Sequence, residues 1–372
     1  MGDLAQVCES QAFILGPKVV ELEQRIASFT GAAFGVGTSS GTDAQLLIMM
    51  ALGIGPGDVV ITTPFTFFAT ASTVVRVGAR PVFVDIDPAT FNLSVPKLRE
   101  FLETKCVSEG SGVRTRDGLK VRAVVPVHLF GLCSDLTQLR RLCDEWDLAL
   151  IEDAAQALGA VFPNEGAPVK AGSVGAAGFF SFYPTKNLGA FGDAGLVVTS
   201  DPNLAKKLQI MRNHGMDPRY YHEVIGGNFR MDALQATVLL RKFDYLENWS
   251  QRRWVIAQRY QSGLAGLGLG LPVEPYHESC GWRGHIYHQF VIRTARRDQL
   301  RAVLNEQGIG TEIYYPLALH QQPCFRDLGY KAGDFPVAEQ TAKECLALPI
   351  FPELTNEEQA SVILRIREFF EP

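Results

Sequence analysis

An α/β fold is predicted: a large domain built on a mostly parallel sheet covered by helices, then a smaller C-terminal α+β domain. Three observations predict it. Short β-branched runs at Val59–Thr62, Pro81–Asp85, Ala123–Val127, Leu148–Glu152 and Ala177–Ser181 are continuously apolar, as strands covered on both faces are. Helical patterns at Phe68–Val77 and Leu136–Trp146 separate several of them, and strand–helix alternation implies right-handed crossovers. The chain has 372 residues, more than one core usually organises, so two domains sharing a junction are expected.

The elements follow in order. Val19, Leu22, Ile26 and Phe29 recur at helical spacing, and Gly31 ends that helix. Ser39-Ser40-Gly41-Thr42 supplies small residues and capping hydroxyls before an almost wholly apolar run, Ala44–Leu52, which predicts a helix buried on most sides. Glu103–Lys120 is polar, charged and Gly-containing, and reads as a surface excursion. Leu196–Thr199 adds a strand, and Asp201 can cap the helix after it. Met231–Tyr260 reads as one long helix with an apolar stripe through Leu240 and Phe243. Beyond the Gly-rich loop Gly263–Gly270, Ile286–Arg293 is strand-like, Arg297–Gln307 helical and Gly308–Tyr315 a further strand. The boundary is set near Leu246, giving a large domain 1–245 with an N-terminal arm and a small domain 246–372.

Composition narrows the function. With 35 Lys+Arg against 40 Asp+Glu, the net charge of -5 argues against a nucleic-acid groove. No apolar run approaches a membrane span, and Met1–Ser10 has no signal core. Seven cysteines with no C-x-x-C pair point to a reducing cytosol and away from a disulfide framework. His277, Cys280, His285 and His288 cluster in sequence but match no zinc spacing, so no metal is expected. Gly35-x-Gly37-x-x-Ser40 imitates a dinucleotide fingerprint without its third glycine or a leading βαβ unit.

Other residues carry more. Asp153 stands just past the strand ending at Glu152, where open α/β sheets place ligands, although an N-cap is an equal alternative. Gln156 follows three residues later. In the segment Ser181–Gly189 a strand ends, Pro184 turns the chain, and Lys186 lies among apolar and small residues. Most lysines are solvated surface charges. A lysine in this setting can instead form a Schiff base with an electron-sink cofactor such as pyridoxal 5'-phosphate. That cofactor needs an acid to keep its ring nitrogen protonated, for which Asp153 is the candidate. Its phosphate needs a cradle. The helix start after Ser39–Thr42 offers N–H groups, a positive dipole end and hydroxyls, with Ser181 a further hydroxyl, although a merely well-capped helix would look the same. For the ring face, Phe65, Phe67 and Phe68 are available, at least two of them expected in the core. His128 is read as a hydrogen-bonded residue near the site, and Lys186 as the better proton carrier.

The ordered set Ser39–Ala44, Pro64–Phe67, Pro126–Gly131, Glu152–Gln156, Ser181–Lys186 and Gly227–Asp232 resembles the DegT/StrS family of pyridoxal-phosphate sugar aminotransferases, from about Leu15 to Pro352. The resemblance implies the PLP-dependent transferase fold of aspartate aminotransferase. It makes Lys186 the cofactor-linked, proton-shuttling residue, Asp153 the pyridinium partner, and Gln156 the side chain beside the phenolic oxygen. Gly41, Thr42 and Ser181 become phosphate contacts, and Phe67 the stacking ring. Asn228 would reach the phosphate from the other subunit of a homodimer with shared active sites. Arg230, Tyr183, Tyr315 and His320 fall where the family meets its nucleotide-sugar or the donor's carboxylate. The implied reaction moves an amino group, by resemblance from glutamate, to a 3-keto or 4-keto hexose on UDP or dTDP. It would serve surface polysaccharide such as lipopolysaccharide, or a glycosylated metabolite. Gly226–Asp232 and Glu312–Gln322 look more like UDP-N-acetyl 3-keto relatives.

There are departures. Tyr314-Tyr315-Pro316 stands where the family often has His-Tyr-Pro, Leu158 where it commonly has His, and Glu103–Lys120 looks inserted. Two alternatives accompany this reading. A sugar dehydratase of the same family would have His in place of Lys186. A regulatory or binding protein would not need Lys186, Asp153 and Gln156 together.

Overall fold

The apolar runs assemble into one nine-stranded sheet in the computed structural model, which describes residues 2–371 apart from 111 and 165. The chain enters through α1 (Gly2–Ser10) and α2 (Pro17–Thr30), the latter ended by Gly31 at φ 87°. β1 (Phe34–Thr38) leads into α3 (Gly41–Ala51), followed by β2 (Asp58–Thr62), α4 (Ala69–Arg76), β3 (Arg80–Phe83) and α5 (Val95–Lys105). A hairpin, β4 (Cys106–Glu109) and β5 (Gly112–Thr115), returns into β6 (Lys120–Val124). Then come α6 (Leu136–Glu145), β7 (Ala149–Asp153), a short ribbon of β8 (Val161–Phe162) and β9 (Val169–Lys170), β10 (Ala177–Ser181), β11 (Gly195–Thr199) and α7 (Pro202–Met211). The remainder is α8 (Ala233–Phe243), α9 (Leu246–Gly263), one-turn α10 (His277–Cys280), β12 (Phe290–Arg293), α11 (Arg297–Glu306), α12 (Pro336–Glu344), β13 (Cys345–Leu348) and α13 (Asn356–Phe370).

The main sheet runs β1-β11-β10-β7-β6-β2-β3. From β10 to β3 every pairing is parallel, and β11 alone on this path runs antiparallel to its neighbours. The expected mostly parallel sheet is therefore present. Helix α3 is apolar nearly all round and buries Ala44, Leu47, Ile48 and Met49 between the sheet and other helices, as its composition requires. Asp201 caps α7 by accepting from the N–H of Asn203 at 2.8 Å.

Four features differ from the sequence expectation. β1 contains Gly35 and Gly37, which argue against a strand. The structure shows their use: a Cβ on Gly35 would lie 2.5 Å from the Glu23 carbonyl oxygen, so α2 packs directly on bare backbone. The long helix Met231–Tyr260 is two helices, broken between Phe243 and Leu246. Gly308–Tyr315 contributes one bridge, Glu312 to Ala347, and β13 is the strand that pairs with β12. The Glu103–Lys120 excursion is the end of α5 and the β4–β5 hairpin, joined to β6 at Arg114–Lys120.

β12 and β13 have their own core, in which Ile256, Tyr260, Leu300 and Ile366 pack on Phe290 and Leu346. A further cluster joins Phe65, Phe83 and Phe130 to Phe325, Phe335 and Ala347, welding the C-terminal part to the sheet. Among the described residues no helix is long and apolar enough to cross a membrane. All seven cysteines are free.

Candidate active site

β7 and β10 are adjacent and parallel, with Phe179 opposite Asp153, so their carboxyl ends deliver Asp153 and Ser181 side by side. The start of α3 abuts Ser181: a Cβ on Gly41 would lie 2.7 Å from the Ser181 Cβ. Ser40 caps this helix by accepting from the N–H of Asp43 at 3.0 Å. Among the described residues no group accepts from the N–H of Gly41 or Thr42. A helix start with two free donors, a hydroxyl beside it and no room for a side chain fits a bound phosphate.

After Ser181 the chain makes a tight turn in which the Lys186 N–H donates to the Tyr183 carbonyl at 2.8 Å. A Cβ on Gly189 would meet the Pro184 carbonyl oxygen at 2.3 Å, so the loop closes on itself. The Lys186 side chain is partly buried and makes no hydrogen bond or ion pair among the described residues. Burial lowers its pKa from 10.5 to about 8, against the pull of the Asp153 carboxylate.

Asp153 is buried. Its Oδ2 accepts from Thr70 Oγ1 at 2.8 Å and its Oδ1 from the Ala155 N–H at 3.2 Å. Burial pushes this carboxyl above its ordinary range, while Thr70, Ala155 and Lys186 pull it back. Gln156 Oε1 accepts from the Phe130 N–H at 2.7 Å, and its Nε2 donates to the Tyr315 hydroxyl at 3.3 Å. The Tyr315 ring lies 6.3 Å from that of Phe67. Only Phe65 of the three aromatic candidates is fully buried; Phe67 is 58% exposed and Phe68 43%, which corrects the expectation of two core rings.

His128 is buried beneath the site and is hydrogen-bonded, as read from sequence. Its Nδ1 accepts from the Ser134 N–H, which leaves Nε2 to donate to Glu152 Oε2 at 2.9 Å. Burial pushes the Glu152 carboxyl up, but His128 and the N–H groups of Gly172 and Gly175 outweigh it and hold the group below its ordinary range. Sequence reasoning missed Thr70 and the anchoring role of Glu152. A Thr inside an amphipathic helix and a Glu ending a strand give no pattern that separates them from neighbours.

The substrate-side candidates fall in different settings. Tyr183 is exposed. Arg230 forms a bridge with Thr38 beside the helix start and donates to Asn213 Oδ1 at 2.8 Å. Asn228 is exposed on the same segment. His320 stands apart: it is buried, bonded to Glu339 Oε1 at 3.1 Å and set against Phe335. The clustered histidines find separate partners, His277 on Trp254, His285 on Tyr287 and His288 on Asn187.

Residues 1–367 match the DegT/DnrJ/EryC1/StrS aminotransferase family. The chain is 45% identical over 367 residues to a pleiotropic regulatory protein of Geobacillus stearothermophilus, covering 99% of this chain and 93% of that one. It is 41% identical over 367 residues to a UDP-N-acetyl-3-dehydro-alpha-D-glucosamine 3-aminotransferase of Acidithiobacillus ferrooxidans, covering 98% and 92%. The fold matches S. venezuelae DesV, solved in complex with a ketimine intermediate, with a TM-score of 0.90 and 38% identity over 100% of this chain and 94% of that one. The chain belongs to this family and is a pyridoxal-phosphate-dependent aminotransferase.

Proposed function

We propose that this enzyme transfers an amino group from L-glutamate to the keto carbon of a nucleotide-linked hexose, with a UDP-N-acetyl 3-keto sugar as the favoured acceptor. The carrying observation is the pairing of an unpartnered Lys186 amine, depressed to about 8, with the buried Asp153 carboxylate at the same sheet edge. In this reading Gly41, Thr42 and Ser181 hold the cofactor phosphate, Asp153 faces the ring nitrogen, Gln156 the phenolic oxygen, and Phe67 the ring. The bound cofactor supplies a carbonyl for amine exchange and an electron sink for carbanion charge. Lys186 would take the proton from the donor's α-carbon and deliver it to the carbon on the far side of the transferred nitrogen, and would reverse this on the sugar. An amine poised near neutrality can do both, because neither protonation state is strongly favoured. Asp153, out of water, keeps a positive charge opposite it.

Tyr183, Tyr315 and Arg230 are proposed to contact sugar or donor carboxylate; His320, tied to Glu339 in the core, is left out. Asn228 is proposed to complete the phosphate site of a second subunit. Its segment exposes Tyr220, Tyr221 and Ile225, and such an apolar patch is suited to burial in a homodimer. The division at Leu246 into cofactor domain and small domain belongs to the same reading, supported by the separate core around β12 and β13. The UDP-N-acetyl preference is supported by the activity for which the Acidithiobacillus relative is named. The likeness to a regulatory protein does not displace catalysis, since a regulator has no need of a desolvated lysine beside a buried acid.

The test is turnover with UDP- and dTDP-linked 3-keto and 4-keto sugars, each generated in situ, with glutamate as donor. Visible cofactor absorbance that glutamate bleaches, and an aminated UDP-sugar product, are expected. A protein that takes up pyridoxal phosphate but aminates none of the panel refutes the sugar assignment. Retained turnover in Lys186→Ala refutes the assignment of the lysine.

A further inference from the structure

A carboxylate that must face one atom of a bound ring needs its own orientation fixed, and the structure shows how Asp153 is held. Thr70 Oγ1, on α4, donates to Asp153 Oδ2 at 2.8 Å. Thr66 Oγ1 lies 3.2 Å from Thr70 Oγ1. A hydroxyl has one proton and an ionised carboxylate only accepts, so Thr70 spends its proton on Asp153 and Thr66 donates to Thr70. The Thr70 carbonyl accepts from Gln45 Nε2, on α3, at 2.9 Å. Gln45, Thr66, Thr70 and Asp153 are all buried, at 1%, 2%, 1% and 5% exposure, so water does not substitute for any of these bonds.

The chain of bonds touches three elements at once: α3, which starts at the phosphate cradle; the Phe65–Phe68 loop, which carries Phe67; and the end of β7, which carries Asp153. We propose that Thr70 is a positioning residue that fixes the Asp153 carboxylate toward the cofactor's ring nitrogen and keeps it ionised. This rests on the reading of Asp153 as the ring-nitrogen partner. A Thr that merely satisfies the core would support stability alone. One that works through Asp153 supports binding of a ligand with a ring nitrogen in particular.

The two are separated by measuring dissociation constants of the apoprotein for pyridoxal phosphate and for its analogue with CH in place of the ring nitrogen. In Thr70→Val the constant for pyridoxal phosphate is expected to rise about ten- to a hundredfold, as loss of a hydrogen bond to a charged group implies. The constant for the analogue stays at the parent value, and Thr70→Ser restores the parent behaviour. Equal weakening of both ligands, or of neither, overturns the proposal. Should Thr70→Val not fold, Thr66→Val carries the test, with a smaller loss confined to pyridoxal phosphate expected and an equal loss overturning. A parent protein that binds neither ligand would instead refute the assignment of the cofactor site itself.

Discussion

Substituting Gly41 by Ala tests whether the start of α3 holds an anion against Ser181. The new Cβ would sit 2.7 Å from Ser181 Cβ and 3.1 Å from Ser181 Cα. Carbon atoms settle at ~3.5–4.0 Å, so helix start and strand end must separate by about 1 Å. Neither side has slack. A Cβ on Gly195 would meet the Ser40 backbone at 2.3 Å, so β11 packs against the same turn, and Ser181 is itself paired with Gly195. Overpacking of this kind costs about 1–3 kcal/mol of stability. A donor moved by about 1 Å from an anion loses most of a charge-assisted hydrogen bond, about 1.5–3 kcal/mol, which is about ten- to a hundredfold in affinity. The assay is equilibrium binding of pyridoxal phosphate and of pyridoxal, which lacks the phosphate, together with the apoprotein melting temperature. Melting should fall by a few degrees and the affinity for pyridoxal phosphate should drop, with that for pyridoxal preserved. A Gly41→Ala protein that binds pyridoxal phosphate like the parent would refute the cradle.

Three further perturbations follow from the same geometry. The Lys186 amine, lowered to about 8, should react with a small acylating reagent in the apoprotein with a half-maximal rate near pH 8, read by peptide mapping; a midpoint near that of free lysine contradicts the burial argument. The unfolded chain keeps that proton up to about 10.5, so this group makes the apoprotein less stable below pH 8. Denaturation midpoints should therefore rise between about 8 and 10.5, and Lys186→Met should flatten the rise. Glu23→Gln strands the buried Arg212, with both side chains 9% exposed, and should lower stability by about 3–5 kcal/mol in urea; adding Arg212→Met should recover part, and no loss in the single variant sinks the idea. Glu152→Gln should lower stability by about 3 kcal/mol at pH 7. Because the Glu152 pKa is depressed, its contribution is present above the ordinary carboxylate range and lost as pH falls through the folded value. The gap between variant and parent should therefore narrow in acid, and a constant gap contradicts the charge argument.

What was legible in the sequence was whatever burial writes directly into composition. The runs Val59–Thr62 and Ala177–Ser181 are apolar because both sheet faces are covered, and Ala44–Leu52 because α3 is enclosed. β1 was not legible, since Gly35 and Gly37 answer to the close approach of α2 and not to strand propensity. The break at Asp244–Tyr245 was hidden because the apolar stripe continues across it, through Leu240 to Leu246. Gly308–Tyr315 looked like a strand because Ile309, Ile313 and Tyr314 are apolar, but they pack into two side-chain clusters and the ladder beside β12 goes to β13. At the site, Lys186, Asp153 and Gln156 announced themselves by motif. Thr70 did not, because its importance lies in which carboxylate it meets across 83 residues of sequence.

On the proposed reading, Asp153 and Lys186 also account for a chain of net charge -5 holding an anionic cofactor. The carboxyl is pushed up and the amine down by the same cause, loss of water, and no direct ion pair between them relieves it. The amine is therefore left without a partner among the described residues, and the carboxylate, although bonded to Thr70 and the Ala155 N–H, is left without a paired cation. In that reading a ligand with a protonated ring nitrogen for the acid and a carbonyl carbon for the amine would answer both, and the free N–H groups of Gly41 and Thr42 would hold its phosphate. Recognition on that reading depends on three local features at the carboxyl ends of the strands, two charges set apart by burial and the unpaired N–H groups of a helix start, and the overall charge of the molecule has little part in it.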